Sequence, residues 1–317
     1  MIQVWIEEII YQIDVDKRTL KNKELLHICG GIDKITSGEF NPHFCHEIAE
    51  TALNHLILTK YTKNLTDNPV EFVRQTLKPL VSRLPTQTWR SREQISFQQF
   101  STPPAVGFLL AHTLNIQQCE IVLEPSAGTG SLAVWAKVRE ANVLTNEIDE
   151  RRRELLQQLG FQPTAYNAEF IHDFLTPNMS PDCVIMNPPF SSNGGRTKNN
   201  SSKFGFRHVE SALERLKKGG RFGIILGEAG GLDTKTGREF WQKMVERFKV
   251  KANIKLSGRE YFKNGTSVDI NLIFGEKLFE PRRVDKVSAV DQIPFFAART
   301  VEEAFYQLIT RNLRFNK

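Results

Sequence analysis

Two kinds of hydrophobic spacing follow one another along the chain. Ile2, Trp5, Ile6, Ile9, Ile10 and Ile13 recur at helical spacing, which predicts an amphipathic opening helix. Similar runs over 46–60 and 69–83 predict further helices, and such stripes most simply bury against one another as a bundle. From about residue 95 the pattern changes. Short apolar runs at 120–123, 142–145, 163–167, 182–186, 221–226, 250–256 and 269–274 predict strands, with helical patterns at 129–140, 149–159, 208–216 and 238–247. Strands alternating with helices imply a Rossmann-like α/β architecture, with a mostly parallel sheet and right-handed crossovers. The last two strands have only 257–268 between them, so they are expected to pair as an antiparallel hairpin at one edge of the sheet. One helical pattern, 301–313, lies in the final stretch. The expected organisation is a helical N-terminal domain over 1–94, an α/β domain over 95–276 and a basic C-terminal tail over 277–317.

Composition narrows the classes. At 317 residues, with 40% apolar and 25% charged residues, the chain can bury a full core without disulfides or metal staples. No apolar run approaches the roughly 18 to 20 residues of a membrane span. Glu7 and Glu8, with no basic start, do not read as a signal peptide. Four Cys without framework spacing suit a reducing, cytoplasmic compartment. The net charge of +6 fits a polyanionic partner.

Candidate chemistry begins where the first α/β strand ends. Glu124-Pro125-Ser126-Ala127-Gly128-Thr129-Gly130 leads from that strand through a Gly-x-Gly turn into a helix. Ligands of open α/β sheets bind beyond the carboxyl ends of the strands, and Gly128 and Gly130 let backbone pass close to one. Ala133 stands where the dinucleotide fingerprint has its third glycine, and the Lys-Ser/Thr pair of a P-loop is absent. An acid heading the turn suits a cationic ligand better than a pyrophosphate. Glu147 ends the second strand 17 residues past Gly130, near the spacing at which an acid reaches ribose hydroxyls. Asp149 is placed to cap the following helix.

The sharpest pattern is Asp182-Cys183-Val184-Ile185-Met186-Asn187-Pro188-Pro189-Phe190. Two prolines stop an apolar strand and fix its end, with a polar amide before them and an aromatic ring after. An aromatic amine is a poor nucleophile because its lone pair delocalises into the ring. The Asn187 side-chain oxygen and the Pro188 carbonyl can accept its two N–H groups and localise that lone pair, while Phe190 stacks on the base.

Glu-Pro-Ser-Ala-Gly-Thr-Gly (124–130) with Asn-Pro-Pro-Phe (187–190) resembles the S-adenosylmethionine-dependent amino-methyltransferases. Phe97-Gln98-Gln99-Phe100-Ser101-Thr102-Pro103-Pro104, just upstream, is similar to the N-terminal cofactor motif of the γ-class N6-adenine DNA methyltransferases, and the order of the three motifs is that of the γ class. Leu84-Pro85…Arg90…Glu93 further resembles methylase domains of phages and mobile elements. The likeness covers about 84–277. It implies a class I methyltransferase sheet and S-adenosylmethionine as cofactor. Thr102 and Glu124 would contact the methionine moiety, with the backbone of Ser126, Ala127 and Gly128. Glu147 would bind the ribose. Asp173 and Phe174 would hold the cofactor's adenine, with Glu169 and Phe170 as rivals. Asn187, Pro188, Pro189 and Phe190 would hold the target base, and Phe262, with Tyr261 as rival, would supply a second aromatic. The activity implied is methyl transfer to adenine N6 in DNA. The alternatives are an RNA base-amine methyltransferase, a protein-glutamine methyltransferase and a non-catalytic DNA-binding subunit. A restriction partner, an orphan regulator and a self-protecting phage enzyme all remain open as biological roles. Many γ-class enzymes read sequence through a large C-terminal domain. With only 277–317 following here, a separate specificity subunit or other partner is one expected source of recognition.

Two looser features complete the reading. The stretch 191–207 holds Arg196, Lys198, Lys203 and Arg207 and no acid, so it is expected to contact nucleic-acid phosphates. His27, Cys29, His43, Cys45 and His46 lie within twenty residues, but their pairs are tighter than the spacing of structural zinc sites, and no metal is expected.

Overall fold

The structure is a computed structural model that describes residues 1–31, 41–61, 68–87, 101–189 and 203–315. Seven strands form one sheet: β1 Ile121–Glu124, β2 Asn142–Thr145, β3 Cys183–Met186, β4 Arg221–Gly227, β5 Phe248–Leu256, β6 Ile270–Lys277 and β7 Phe295–Ala298. Their order is β2-β1-β3-β4-β6-β5-β7. The pairs β1–β2, β1–β3, β3–β4 and β5–β7 are parallel, and β6 runs antiparallel to both its neighbours. Every residue of β3 and nearly every residue of β4 is buried. Strands covered on both faces read as continuous apolar runs, which is how they appear in the sequence.

Two details differ from the sequence expectation. The segment 163–167 contributes one parallel bridge, Thr164 to Asn146, instead of a strand. Pro163 has no N–H to give a ladder, and the Asn146 side chain takes over the pairing. Its Oδ1 accepts from the Tyr166 N–H and the Thr164 hydroxyl, both at 2.8 Å. Its Nδ2 donates to the Pro125 and Tyr166 carbonyls, both at 2.9 Å. The β5–β6 hairpin forms as expected but does not stand at the edge, because β7 pairs outside β5. With two exposed and two buried positions over four residues, β7 leaves too short a pattern to read in advance.

Helices cover both faces. Pro104–Leu114, Ala133–Val138 and Val301–Thr310 bury Phe108, Trp135 and Phe305 against one side. Lys203–Glu214 and Lys235–Met244 pack Val209, Leu213 and Trp241 on the other. The amino-terminal helix Ile2–Ile10 buries Trp5, Ile6 and Ile9, as its spacing predicts. It packs with Pro42–Thr59, whose first turn is capped by Asn41 accepting from the His43 N–H at 3.0 Å. This helical layer reaches the sheet's β2 flank through Leu155 of the helix Glu150–Gln158. The Asp149 side chain caps that helix, accepting from the Arg152 N–H at 3.1 Å. No helix among the described residues is long and apolar enough to cross a membrane.

Candidate active site at the carboxyl ends of the strands

Beyond β1 the chain turns through Gly128 and Gly130, both with positive φ, +55° and +87°, where a side chain would be strained. The two differ in surroundings. A Cβ on Gly128 would meet nothing within 4 Å, whereas one on Gly130 would lie 3.0 and 3.2 Å from Leu156 and Leu159. Gly128 therefore opens onto the cleft, and Gly130 lets the turn close against the end of the helix Glu150–Gln158.

A cleft at this end of the sheet is lined by Ser101, Thr102, Glu124, Ser126, Ala127, Gly128, Glu147, Arg152, Asn187, Pro188 and Pro189, among others. Three motifs far apart in sequence thus meet in one place. Glu124 is 2% exposed, and its Oε2 has no hydrogen-bond partner among the described residues. Burial pushes its carboxyl pKa well above the usual range; the Ala133 N–H opposes this and Glu147 adds to it. A buried carboxylate oxygen without a partner costs free energy unless a ligand supplies one, so this site is built for a cationic or hydrogen-bond-donating group. Glu147 is buried too. Its Oε2 accepts from the Gly128 N–H at 2.7 Å and its Oε1 from the Asp149 N–H at 2.9 Å. The acid just past β2 and the turn after β1 are thereby locked together. At the end of β3, the Asn187 Nδ2 donates to the Thr102 Oγ at 3.1 Å, which turns the amide oxygen to its other side. Pro188 and Pro189 are buried, and Gly205 leaves room for the Pro189 carbonyl, which a Cβ there would approach to 2.9 Å.

Other singled-out residues lie elsewhere. Phe174 does not line this cleft. It stacks on Tyr166, centroids 4.0 Å apart, beside a groove along the outer flank of β2. The Asp173 side chain is 62% exposed, 3.2 Å from the His172 ring. Their rival Glu169 is engaged by Arg207 at 2.8 Å. Phe262 is 62% exposed in the Gly258–Asn264 turn, while Tyr261 is 1% exposed with its hydroxyl beside Thr102. Phe190, Arg196 and Lys198 lie outside the described residues, as does the Lys203 side chain.

Several residues in or bonded to the cleft escaped the motif reading. Arg152 lines the cleft and donates through Nε to Glu47 at 2.7 Å. Asn54 donates to the Thr129 carbonyl at 2.9 Å, and Glu50 accepts from the hydroxyls of Ser101 at 2.6 Å and Thr129 at 3.1 Å. Glu47, Glu50 and Asn54 form one stripe of the Pro42–Thr59 helix. Polar residues repeating every three to four positions inside an otherwise apolar helix are the signal that marks them.

The family model described as methyltransferase small domain matches residues 105–253. No curated protein matches the chain by sequence. Among solved structures, one from Listeria monocytogenes, described as a class I S-adenosylmethionine-dependent methyltransferase, superposes with a TM-score of 0.55 at 15% identity, over 98% of each chain. A type I restriction-modification methyltransferase subunit from Streptococcus thermophilus gives 0.50 at 14% identity, over 98% of this chain and 74% of that one. A modification subunit of a type I restriction enzyme from Vibrio vulnificus gives 0.51 at 14% identity. This chain spans 66% of that subunit's length, with 86% of its own residues covered. The fold is that of the class I S-adenosylmethionine-dependent methyltransferases, and S-adenosylmethionine is the cofactor that the open Gly128 turn and the Glu124 Oε2, without a partner among the described residues, fit.

Proposed function

We propose that this chain transfers a methyl group from S-adenosylmethionine to the N6 amine of adenine in DNA. The observation that carries the reading is the meeting of Asn187, Pro188 and Pro189 with Thr102, Glu124, Gly128 and Glu147 in one cleft. An amide and two prolines at a strand end are common on their own. The same triplet facing a buried acid and a glycine turn is an arrangement that suits methylation of a planar amine.

In this reading Glu124 takes the cationic methionine end, the Gly128 backbone lies along it, and Glu147 takes the ribose hydroxyls. When bound, S-adenosylmethionine supplies an electrophilic methyl carried on a positively charged sulfur. Asn187 Oδ1 and the Pro188 carbonyl accept the two N–H bonds of the target amine, so its lone pair points along one direction. Thr102 holds the Asn187 amide in that orientation. Such positioning is worth about 7–11 kcal/mol in well-oriented reactions. Adenine has to leave the duplex to reach the cleft, since its amine is inaccessible in the stack. Phe190, and Phe262 on its exposed turn, are the aromatic rings proposed to receive it. Arg196, Lys198, Lys203 and Arg207 are proposed to contact phosphates, Arg207 by exchanging Glu169 for one.

Incubation with S-adenosylmethionine labelled in the methyl group tests the reading, with duplex DNA, single-stranded DNA, RNA and protein as substrates. Labelled N6-methyldeoxyadenosine is the expected product. Label confined to RNA or to protein glutamine would replace the substrate.

A further inference from the structure

One side chain of the helical layer that precedes the sheet bonds to residues on two sides of the cleft. Glu50 sits in the middle of the Pro42–Thr59 helix and meets three loops. Its Oε2 accepts from the Ser101 hydroxyl at 2.6 Å and from the Thr129 hydroxyl at 3.1 Å, and its Oε1 lies 3.5 Å from the Asn264 amide. Ser101 immediately precedes Thr102, the partner of Asn187. Thr129 stands between the two glycines of the turn after β1. Asn264 ends the turn that carries Tyr261 and Phe262. Four segments separated by up to 214 residues are thus joined at one carboxyl group.

The joint is reinforced on each side. Asn54, one helical turn further on, donates to the Thr129 carbonyl at 2.9 Å. Lys263 donates to the Leu84 carbonyl at 2.8 Å, and Gln87 donates to the Lys263 carbonyl at 3.0 Å, which docks the Gly258–Asn264 turn on the helical layer. The charged groups facing Glu50 are Glu47 and Arg152. His46 and Lys263 line a small cavity beside it; burial holds the His46 ring neutral, pushing its pKa down to about 4. Burial likewise raises the Glu50 pKa to about 7, so near neutral pH the group is often a protonated carboxyl, uncharged and still able to accept both hydroxyls.

We propose that Glu50 is a positioning residue for cofactor binding: it holds the Ser101–Thr102 segment and the Gly128–Gly130 turn at a fixed separation across the cleft and sets the Gly258–Asn264 turn against them. This rests on the reading of the cleft as the S-adenosylmethionine site. Because the group works through hydrogen bonds of fixed length, a neutral isostere can replace it and a shorter acid cannot. Glu50→Gln keeps the reach and the carbonyl acceptor. Glu50→Ala removes the acceptor, and Glu50→Asp withdraws it by one methylene.

The test is calorimetric titration of the full chain with S-adenosylmethionine, run with thermal unfolding of each variant without ligand. Glu50→Ala and Glu50→Asp are expected to weaken binding roughly tenfold, the loss of about one net hydrogen bond, while Glu50→Gln stays within about threefold of the parent. Asp carries the comparison where Ala fails to fold. Parent-like binding by Ala or Asp, or a loss in Gln equal to that in Ala, would overturn the positioning role while leaving the cofactor site intact. A parent protein that does not bind S-adenosylmethionine at all would overturn the site reading itself, and this inference with it.

Discussion

The two ends of the cleft are built differently. At the proposed cofactor end, Glu147 is buried and already accepts from the Gly128 and Asp149 N–H groups at 2.7 and 2.9 Å, and the buried Asn146 side chain donates to the Pro125 carbonyl at 2.9 Å. At the proposed target end, Asn187 donates to Thr102, while Phe262 of the Gly258–Asn264 turn stands 62% exposed. The first half is preorganised and gives up little ordering entropy when its ligand arrives. The second presents an apolar ring to solvent until something stacks on it. A small flexible cofactor is best met by rigid walls, and a base arriving from a polymer by a surface that it completes.

Substitutions at the two ends should therefore separate cleanly. The largest effect is expected from Asn187→Ala, which removes the amine acceptor: turnover should fall on the order of a thousandfold, with cofactor affinity changed less than threefold in calorimetry. Glu147→Ala should do the reverse, weakening S-adenosylmethionine binding by roughly ten- to a hundredfold as charge-assisted bonds are lost. Glu124 predicts a pH dependence. Its pKa is raised in the free protein and a cation favours its ionised form, so binding should release a proton and tighten with rising pH, by up to about tenfold per unit. Proton release is read from binding heats in buffers of different ionisation enthalpy, and Glu124→Gln should abolish it. Phe262→Ala should raise the DNA KM by about tenfold, the value of one stacked base, without touching cofactor affinity.

The smallest expected effect is on stability. Glu50 has its pKa raised from 4.5 to about 7 on folding. The folded chain then holds the extra proton between those values, and stability falls as pH rises through that window and levels off above it. Glu50→Gln should flatten that decline, visible as a higher unfolding midpoint than the parent's above pH 7.

Much of the fold was legible because its determinants are local. The apolar runs of β3 and β4, the proline stop at Pro188 and the Gly-x-Gly turn each declare themselves within ten residues. The glycine turn, Glu147 and Asn-Pro-Pro could be assigned to one cleft because the carboxyl ends of parallel strands share one edge of a sheet. What was not legible depends on distant partners. Glu47, Glu50 and Asn54 look like ordinary polar positions until Arg152, Ser101 and Thr129 are brought to them from 51 to 105 residues away. Thr164 looks like part of a strand until the Asn146 side chain replaces the ladder. The stacking of Phe174 on Tyr166 beside β2 is likewise a contact that spacing alone does not carry.

One measurement bears most directly on the proposed activity: mass spectrometry of hydrolysed duplex DNA after incubation with the purified chain and methyl-labelled S-adenosylmethionine, with Asn187→Ala in parallel. Labelled N6-methyldeoxyadenosine from the parent and none from the variant is the expected result. Label in no DNA base from a protein that binds the cofactor, or equal label from the Asn187→Ala variant, would contradict it.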